Sequence, residues 1–338
     1  MDRRSALKLI SATGPALGIN LLPNLGLSTA VAQTNTGPYP NRPIKFIVPF
    51  APGISPDVIA RLISDRLAQS LGQPVIVDNR PGAGGMIGAE AAAITPGDGY
   101  NIFFAVKSVM AIAPHVYSTA KYNPLKDFKS VSQILIVPHV ITAAPNVPYN
   151  NLKELVEYAK KNPGKIDYAS LGVGSQPHIA MEAWAQKLGI KLTHIPYKSN
   201  PAADVMSGVV SLSLEASTTA IPSIKAGKIK GIAISGSNRI ESLPDVPTVT
   251  EYGSTLDVNG NIGNSWHGIF APASTPDSVI TKLNTEIIKI VKTPEVQERM
   301  RSLGLTPTGT TAQTLASAMS GDYAFWGQLI RELDIKVE

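Results

Sequence analysis

Few residues of this chain are placed to make or break bonds. The five histidines, His115, His139, His178, His194 and His267, stand far apart, and none falls in the H-E-x-x-H or H-x-H spacing that gathers a zinc ion. There is no cysteine, which argues against thiol chemistry, a disulfide framework and a lipoprotein anchor. Ser175 follows Gly174 but precedes Gln176-Pro177, so it misses the G-x-S-x-G turn that exposes a nucleophilic serine. Gly82-Ala83-Gly84-Gly85-Met86-Ile87-Gly88 approaches the dinucleotide fingerprint, but Ile87 stands where its last glycine belongs, and no Walker phosphate loop occurs. Glu182, Asp204 and Glu215 show no pairing that makes an acid–base couple. What remains is backbone N–H presented by glycine-rich loops, and that chemistry binds anions.

Two segments could position such donors. In the first, the apolar run Phe46–Phe50 ends in the loop Ala51-Pro52-Gly53-Ile54, and Ser55-Pro56-Asp57 opens a helix. Serine is a favoured N-cap, and proline suits the first helical position because its missing N–H has no partner there. Ile59, Leu62, Ile63, Leu67 and Leu71 repeat at helical steps. The helix's unpaired N–H groups and positive dipole end then face loop 51–55, a ready carboxylate site. An ordinary strand–loop–helix link has the same pattern, and Asp57 reads as an acid stabilising its own helix dipole. A second copy strengthens the binding reading. Lys165–Ser170 reads as a strand, Leu171-Gly172-Val173-Gly174-Ser175 as a loop, and Ser175-Gln176-Pro177-His178 as another helix start. Two such units half a chain apart suggest two lobes that hold a ligand between them. His178, in the first turn of its helix, either donates to a ligand or caps and packs.

The surrounding pattern is α/β. Strands are expected at 44–50, 73–77, 100–106, 192–196, 209–214, 230–234 and 267–271. Helices are expected at 56–71, 89–93, 151–161, 201–207, 220–226, 277–292, 294–303 and 311–333. This alternation argues for parallel sheets. Val131–Val140 reads as an extended crossing between lobes, with a second crossing near 240–266. Trp184, Trp266 and Trp326 read as core.

The first 32 residues read as an export leader. Arg3-Arg4 and Lys8 precede an apolar stretch, and Ala30-Val31-Ala32 fits a cleavage site. The paired arginines resemble a twin-arginine signal, although general secretory signals also carry them. Without the leader the chain has 306 residues and 27 Lys and Arg against 24 Asp and Glu, a net charge of +3. That balance, with no long basic run and few aromatics, argues against nucleic acid as a partner. No later stretch has the apolar length of a membrane span. A soluble exported binding protein, with no cofactor or metal and no enzymatic role, is the expectation.

Several blocks resemble the solute-binding proteins of tripartite tricarboxylate transporters, the Bug family. They are YPNRPIKFIVPFAPG (39–53), GQPVIVDNRPGAGGMIGAE (72–90), PGDGY (96–100), IPYKS (195–199), LPDVPTVTEYG (243–253), WHGIFAPASTP (266–276) and IRELDIKVE (330–338). Together they span nearly all of the mature chain. The resemblance implies a two-lobe, type II periplasmic binding fold, each lobe a mostly parallel sheet flanked by helices, with a hinge between. Lobe 1 would comprise 40–138 and 262–338, and lobe 2 would comprise 139–261. It also implies a grip on one carboxylate by two loops. Carried over, these supply Phe50, Ala51, Pro52, Gly53, Ile54 and Ser55, and Gly172, Val173, Gly174, Ser175 and His178. Further contributions would come from Gly84, Gly85, Met86, Lys107-Ser108 and the segment Glu215–Thr218, Ser217 included, and from Lys198, which either neutralises a carboxylate or lies at the surface.

The sequence departs from the family pattern at Ile54, which replaces a glycine, at Ser199, and at Ser211 and Glu215. Ile54 and Met86 lean towards an aromatic or longer aliphatic carboxylate. The implied partners are that carboxylate and the large and small permease subunits, with the protein itself a monomer in the periplasm. Signalling to a sensor kinase is the alternative, and an exported hydrolase a distant third.

Overall fold

The computed structural model describes residues 38–197, 200–253, 257 and 261–335. The leader assigned to residues 1–32, Lys198-Ser199 and the last three residues of the 330–338 block lie outside them.

The chain begins with β1 (Ile44–Val48), α1 (Ser55–Leu71) and β2 (Val75–Asn79). A tight turn at Ala83–Gly85 leads into α2 (Met86–Ala93), and β3 (Asn101–Val106) follows. A π-helical turn, Ser108–Ile112, runs on into α3 (Ala113–Val116). Then come β4 (Phe128–Val137), β5 (His139–Ala143), α4 (Leu152–Lys161), β6 (Asp167–Ser170), α5 (Gln176–Leu188), β7 (Thr193–Pro196) and α6 (Ala202–Ser207). The rest is β8 (Leu212–Ala216), α7 (Ser217–Lys225), β9 (Lys230–Ile234), α8 (Val249–Tyr252), β10 (Ser265–Pro272), α9 (Asp277–Val291), α10 (Pro294–Ser302), β11 (Thr306–Pro307) and α11 (Ala312–Glu332).

Among the described residues the strands form two sheets, a six-stranded one in the order β11-β4-β10-β3-β1-β2 and a five-stranded one in the order β7-β6-β8-β5-β9. Both are mixed, which corrects the expectation of mostly parallel sheets. In the first, β1 runs parallel to β2 and β3, while β10 is antiparallel to β3 and β4. In the second, β6 runs parallel to β7 and β8, while β5 is antiparallel to β8 and β9. The antiparallel strands flank the two places where the chain passes between sheets. The strand that enters each sheet at a crossing, β10 in the first and β5 in the second, runs opposite to those built by strand–helix–strand repeats, while β4 and β9, which lead out, run with them.

The first crossing lies at Pro138, between β4 and β5. The sequence pattern there reads as one extended segment, but proline has no N–H to donate to a ladder, and the run splits into two strands that join different sheets. The second crossing lies between β9 and β10.

Each sheet carries its own apolar core. Phe46, Phe103, Phe104, Phe270 and Leu283 belong to the first, and Tyr149, Tyr168, Trp184, Leu212 and Trp326 to the second. The stripe expected on α9 is buried as a set: Val279, Ile280, Leu283, Ile287, Ile290 and Val291. α11 serves both cores, with Leu315 and Met319 in the first and Trp326, Leu329 and Ile330 in the second. The lobe boundaries expected above stand as a proposal, supported by the two sheets and two crossings. The far half of α11 joins the second core, in which Ala111, Ile112 and Val116 also lie. All three tryptophans are buried, and Trp266 Nε1 donates to Asp322 at 2.6 Å.

Candidate functional site

A cavity of about 400 Å³ lies where the two sheets face each other, lined by residues of both. The helix α1 reaches it with Ser55 and Pro56, α5 with Gln176 and Pro177, and α7 with Thr218. By helix geometry the first N–H groups of each have no acceptor within the helix. Phe50, Val106, Ile112, Ala113, Tyr117, Val137, Leu171 and Ala216 give an apolar wall. Ser108, Ser175, Thr218 and Ser265 add hydroxyls, and His139 and His267 add imidazoles. Among the described residues that line it there is no Asp, Glu, Lys or Arg. The arrangement suits an anionic head group on an apolar body: donors come from backbone dipoles, and no fixed charge competes.

The first loop is held from below. Asp57 is 1% exposed, and its carboxylate accepts from Gly53 N at 2.8 Å, Asn79 Nδ2 at 2.8 Å and Arg61 Nε at 2.9 Å. Asn79 also donates to the Phe50 carbonyl at 2.9 Å. Burial alone would raise the Asp57 carboxyl. The hydrogen bonds from Arg61, Gly53 and Asn79 and the charge of Arg61 outweigh it and hold the carboxyl below the usual carboxylate range. Asp57 therefore ties loop, helix and β2 together, a larger role than the dipole effect expected of it. Ile54, not Ser55, is the N-cap, and no side chain caps the helix. Asp57→Ala strands the Gly53 and Asn79 donors, and is expected to lower stability by roughly 1–3 kcal/mol. Urea unfolding measures this, and an unchanged midpoint would show that the loop is held by other contacts.

The second loop is held by α5 itself. Gly174 sits at φ 77°, and its N–H donates to His178 Nδ1 at 3.2 Å. That bond requires Nδ1 to be the acceptor of a neutral ring, and burial holds the His178 imidazole below its ordinary pKa. The ring stacks on His194, with centroids 4.0 Å apart, and His194 in turn stacks on Tyr168. Ser175 is the N-cap residue, but its hydroxyl donates to the Gly172 carbonyl at 2.7 Å instead of capping the helix. Gln176 Nε2 reaches the carbonyls of Gly263 at 3.2 Å and Asn264 at 3.1 Å, which links this loop to the second crossing.

Of the residues singled out in the sequence, the cavity brings together Phe50, Ser55, Gly84, Ser108, Gly174, Ser175, Ala216 and Thr218. The others stand elsewhere. Ala51, Pro52, Gly53 and Ile54 form an exposed loop tip outside the lining, and the Gly53 N–H is committed to Asp57. Gly85 and Met86 are buried beneath the Ala83-Gly84 turn. Gly172 and Val173 lie outside the lining, and His178 is packed behind its loop. Glu215 is buried and accepts from Ser213 at 2.9 Å and Thr142 at 3.1 Å. Ser217 donates to the Gly304 carbonyl at 2.8 Å. Lys107 is turned away, its ammonium 3.5 Å from the Asp322 carboxylate in a buried pair. Lys198 lies outside the described residues.

Sequence reasoning missed the start of α7, placing it at residue 220. The Ser217-Thr218-Thr219 run has no apolar periodicity to mark it, although hydroxyl residues at a strand end are a helix-start signal. It also missed His139 and His267, which no local spacing connects. A second cavity of about 420 Å³ touches Pro138, Arg239, Asn264 and Arg301. Among the described residues no helix N-terminus opens into it, and Arg239 is already paired with Glu251.

Known proteins resemble this chain over most of its length. BugT of Bordetella pertussis is 34% identical over 310 residues, 91% of this chain and 94% of that protein. An R. palustris protein solved with adipate superposes with a TM-score of 0.77 at 29% identity, covering 88% of this chain and 99% of its own. MatC from Rhodopseudomonas palustris, solved with bound malate, gives a TM-score of 0.72 at 28% identity, covering 86% of this chain and 100% of its own. The profile of the TctC family, described as the tripartite tricarboxylate transporter family receptor, matches residues 59–335. The chain belongs to that family of solute receptors, which are binding proteins and not enzymes.

Proposed function

We propose that the protein captures a small organic carboxylate in this cavity, in the periplasm, and delivers it to the membrane subunits of a tripartite tricarboxylate-type permease. The observation that carries the reading is the convergence of three helix N-termini on one cavity with no charged side chain among its described lining residues. Such a site rewards a negative head group through backbone donors and helix dipoles. Adipate and malate in the two R. palustris relatives are of the same chemical class. The sequence-level leader supports export, and among the described residues no helix is long and apolar enough to cross a membrane. The paired sheets joined at two crossings support closure of the lobes around the ligand.

The test is a thermal-shift and calorimetric screen of mono-, di-, tri- and aromatic carboxylates, each beside its primary amide. A ligand at a hundred times its Kd stabilises the native state by about 2.7 kcal/mol, an easily read rise in melting temperature. The expected result is that at least one carboxylate binds and its amide does not. Equal binding of acid and amide would overturn the anion site.

A further inference from the structure

We propose that His139 and His267 select the far end of the bound molecule, so that the carboxylate this protein takes carries there a neutral hydrogen-bond donor, a hydroxyl or phenol, in place of a second carboxylate. The proposal rests on the reading of the cavity as a carboxylate site. Both imidazoles belong to the part of the wall built by the crossing strands, where His139 faces Ala216, the residue that precedes α7, across the β5–β8 ladder; the starts of α1 and α5 remain for the head group. His139 opens β5 directly after the Pro138 crossing, and His267 lies on β10 just after the second crossing. Both line the cavity, at 9% and 6% exposure.

The hydrogen-bonding capacity of the pair follows from its neighbours. His139 Nδ1 lies 3.3 Å from the Val137 carbonyl oxygen. A carbonyl only accepts, so Nδ1 carries the proton and Nε2 is left as a bare acceptor. For His267, no ring nitrogen bonds to any described residue, and its Nδ1 is buried without a partner. A neutral imidazole offers one donor and one acceptor. His267 Nδ1 is enclosed by protein, so each ring meets the cavity through Nε2, an acceptor in His139 and a donor or acceptor in His267 according to its tautomer; a hydroxyl donates to the first and accepts from an Nε2–H of the second. A carboxylate only accepts. It would meet the His139 lone pair with no cation among the described lining residues to compensate. Lys107 lies close enough to influence His139, but its ammonium is engaged by Asp322 and the Asn261 carbonyl. Burial, with the Lys107 charge, lowers the His139 pKa to about 4, and burial, with His139 beside it, lowers that of His267 to about 3. Both rings are accordingly neutral acceptors and donors near pH 7. Phe50, Val106, Tyr117 and Val137 offer an apolar wall for a hydrocarbon or aromatic spacer.

The experiment is calorimetry at pH 7.5 on the mature protein with matched triplets. Each triplet is an unsubstituted acid, its ω-hydroxy acid and the dicarboxylate of the same skeleton. The skeletons are linear chains of four to eight carbons, and benzoate with 4-hydroxybenzoate and terephthalate. On the skeleton that binds best, the hydroxy acid is expected to bind at least tenfold tighter than either companion. His139→Phe and His267→Phe keep the ring volume and remove the nitrogens, and each is expected to bring the ratio of hydroxy to unsubstituted acid close to one. Tightest binding of a dicarboxylate overturns the proposal and leaves the carboxylate reading standing, as does an unaltered ratio in both variants. Failure of every acid in the panel to bind overturns the underlying reading and the selectivity with it. Should a variant not fold, the wild-type triplets decide alone.

Discussion

Gly174→Val is expected to weaken ligand binding by roughly 10- to 100-fold while the protein stays folded. Gly174 stands at φ 77°, a left-handed conformation that a β-branched residue enters only under strain of about 1–3 kcal/mol. Relief of that strain moves the backbone. The residue lines the cavity, and its N–H is fixed on His178 Nδ1, so the movement displaces the first turn of α5 as well. At about 1.4 kcal/mol per decade the strain alone accounts for the expected loss. Ser175→Ala removes only the bond to the Gly172 carbonyl, a net contribution of about 1 kcal/mol, and leaves the helix donors in place. Lys198→Ala tests the competing picture, in which an ammonium dominates recognition. The expected order of damage, measured by calorimetry on folded protein, is Gly174→Val, then Ser175→Ala, then Lys198→Ala. Loss of binding in Lys198→Ala with retention in Gly174→Val would show that a side-chain ion pair, and not the loop backbone, holds the ligand.

That ordering depends on elements with very different visibility in the sequence. The two strand–loop–helix units were legible because each combines an apolar strand, glycines and a proline at the helix start within a few residues. The stripe of α9 was legible for the same local reason. What the sequence hid was non-local. Nothing near residue 57 announces that Asn79, more than twenty positions on, shares the Asp57 carboxylate with Gly53. His178 was ambiguous because its partner is the N–H of a loop whose path only the fold determines. Lys107 follows a strand that ends at the cavity, as Ser108 does, yet only Ser108 lines it. The Lys107 ammonium turns to Asp322 on α11, an acid that no motif links to it. His139 and His267 meet the cavity because two crossings, far apart in the chain, bring β5 and β10 together with it.

The same two histidines are expected to make the protein acid-labile well above the carboxylate range. In the unfolded chain an imidazole takes a proton near pH 6.5. In the folded protein burial holds His139 back to about pH 4 and His267 to about pH 3. Between those values the unfolded state binds more protons, so stability rises with pH. Their contribution is fully present above about pH 6.5 and is lost as the pH falls towards the folded values. At about 1.4 kcal/mol per pH unit and group, lowering the pH from 6.5 to 4.5 removes on the order of 4 kcal/mol for the pair. That is a large part of the stability of an ordinary domain. Asp57, whose carboxyl is depressed, titrates the same way but only below about pH 4, so it leaves this window clear. Urea unfolding at half-unit pH steps reads the slope directly. The double variant His139→Phe/His267→Phe is expected to flatten it by about half, with His115, His178 and His194, also depressed by burial, supplying the remainder and Asp257, whose carboxyl burial raises, opposing it. A wild-type midpoint that holds constant between pH 6.5 and 4.5 would mean that both rings take up protons in the folded state. They could not then act as the neutral acceptors on which selection of the ligand's far end depends.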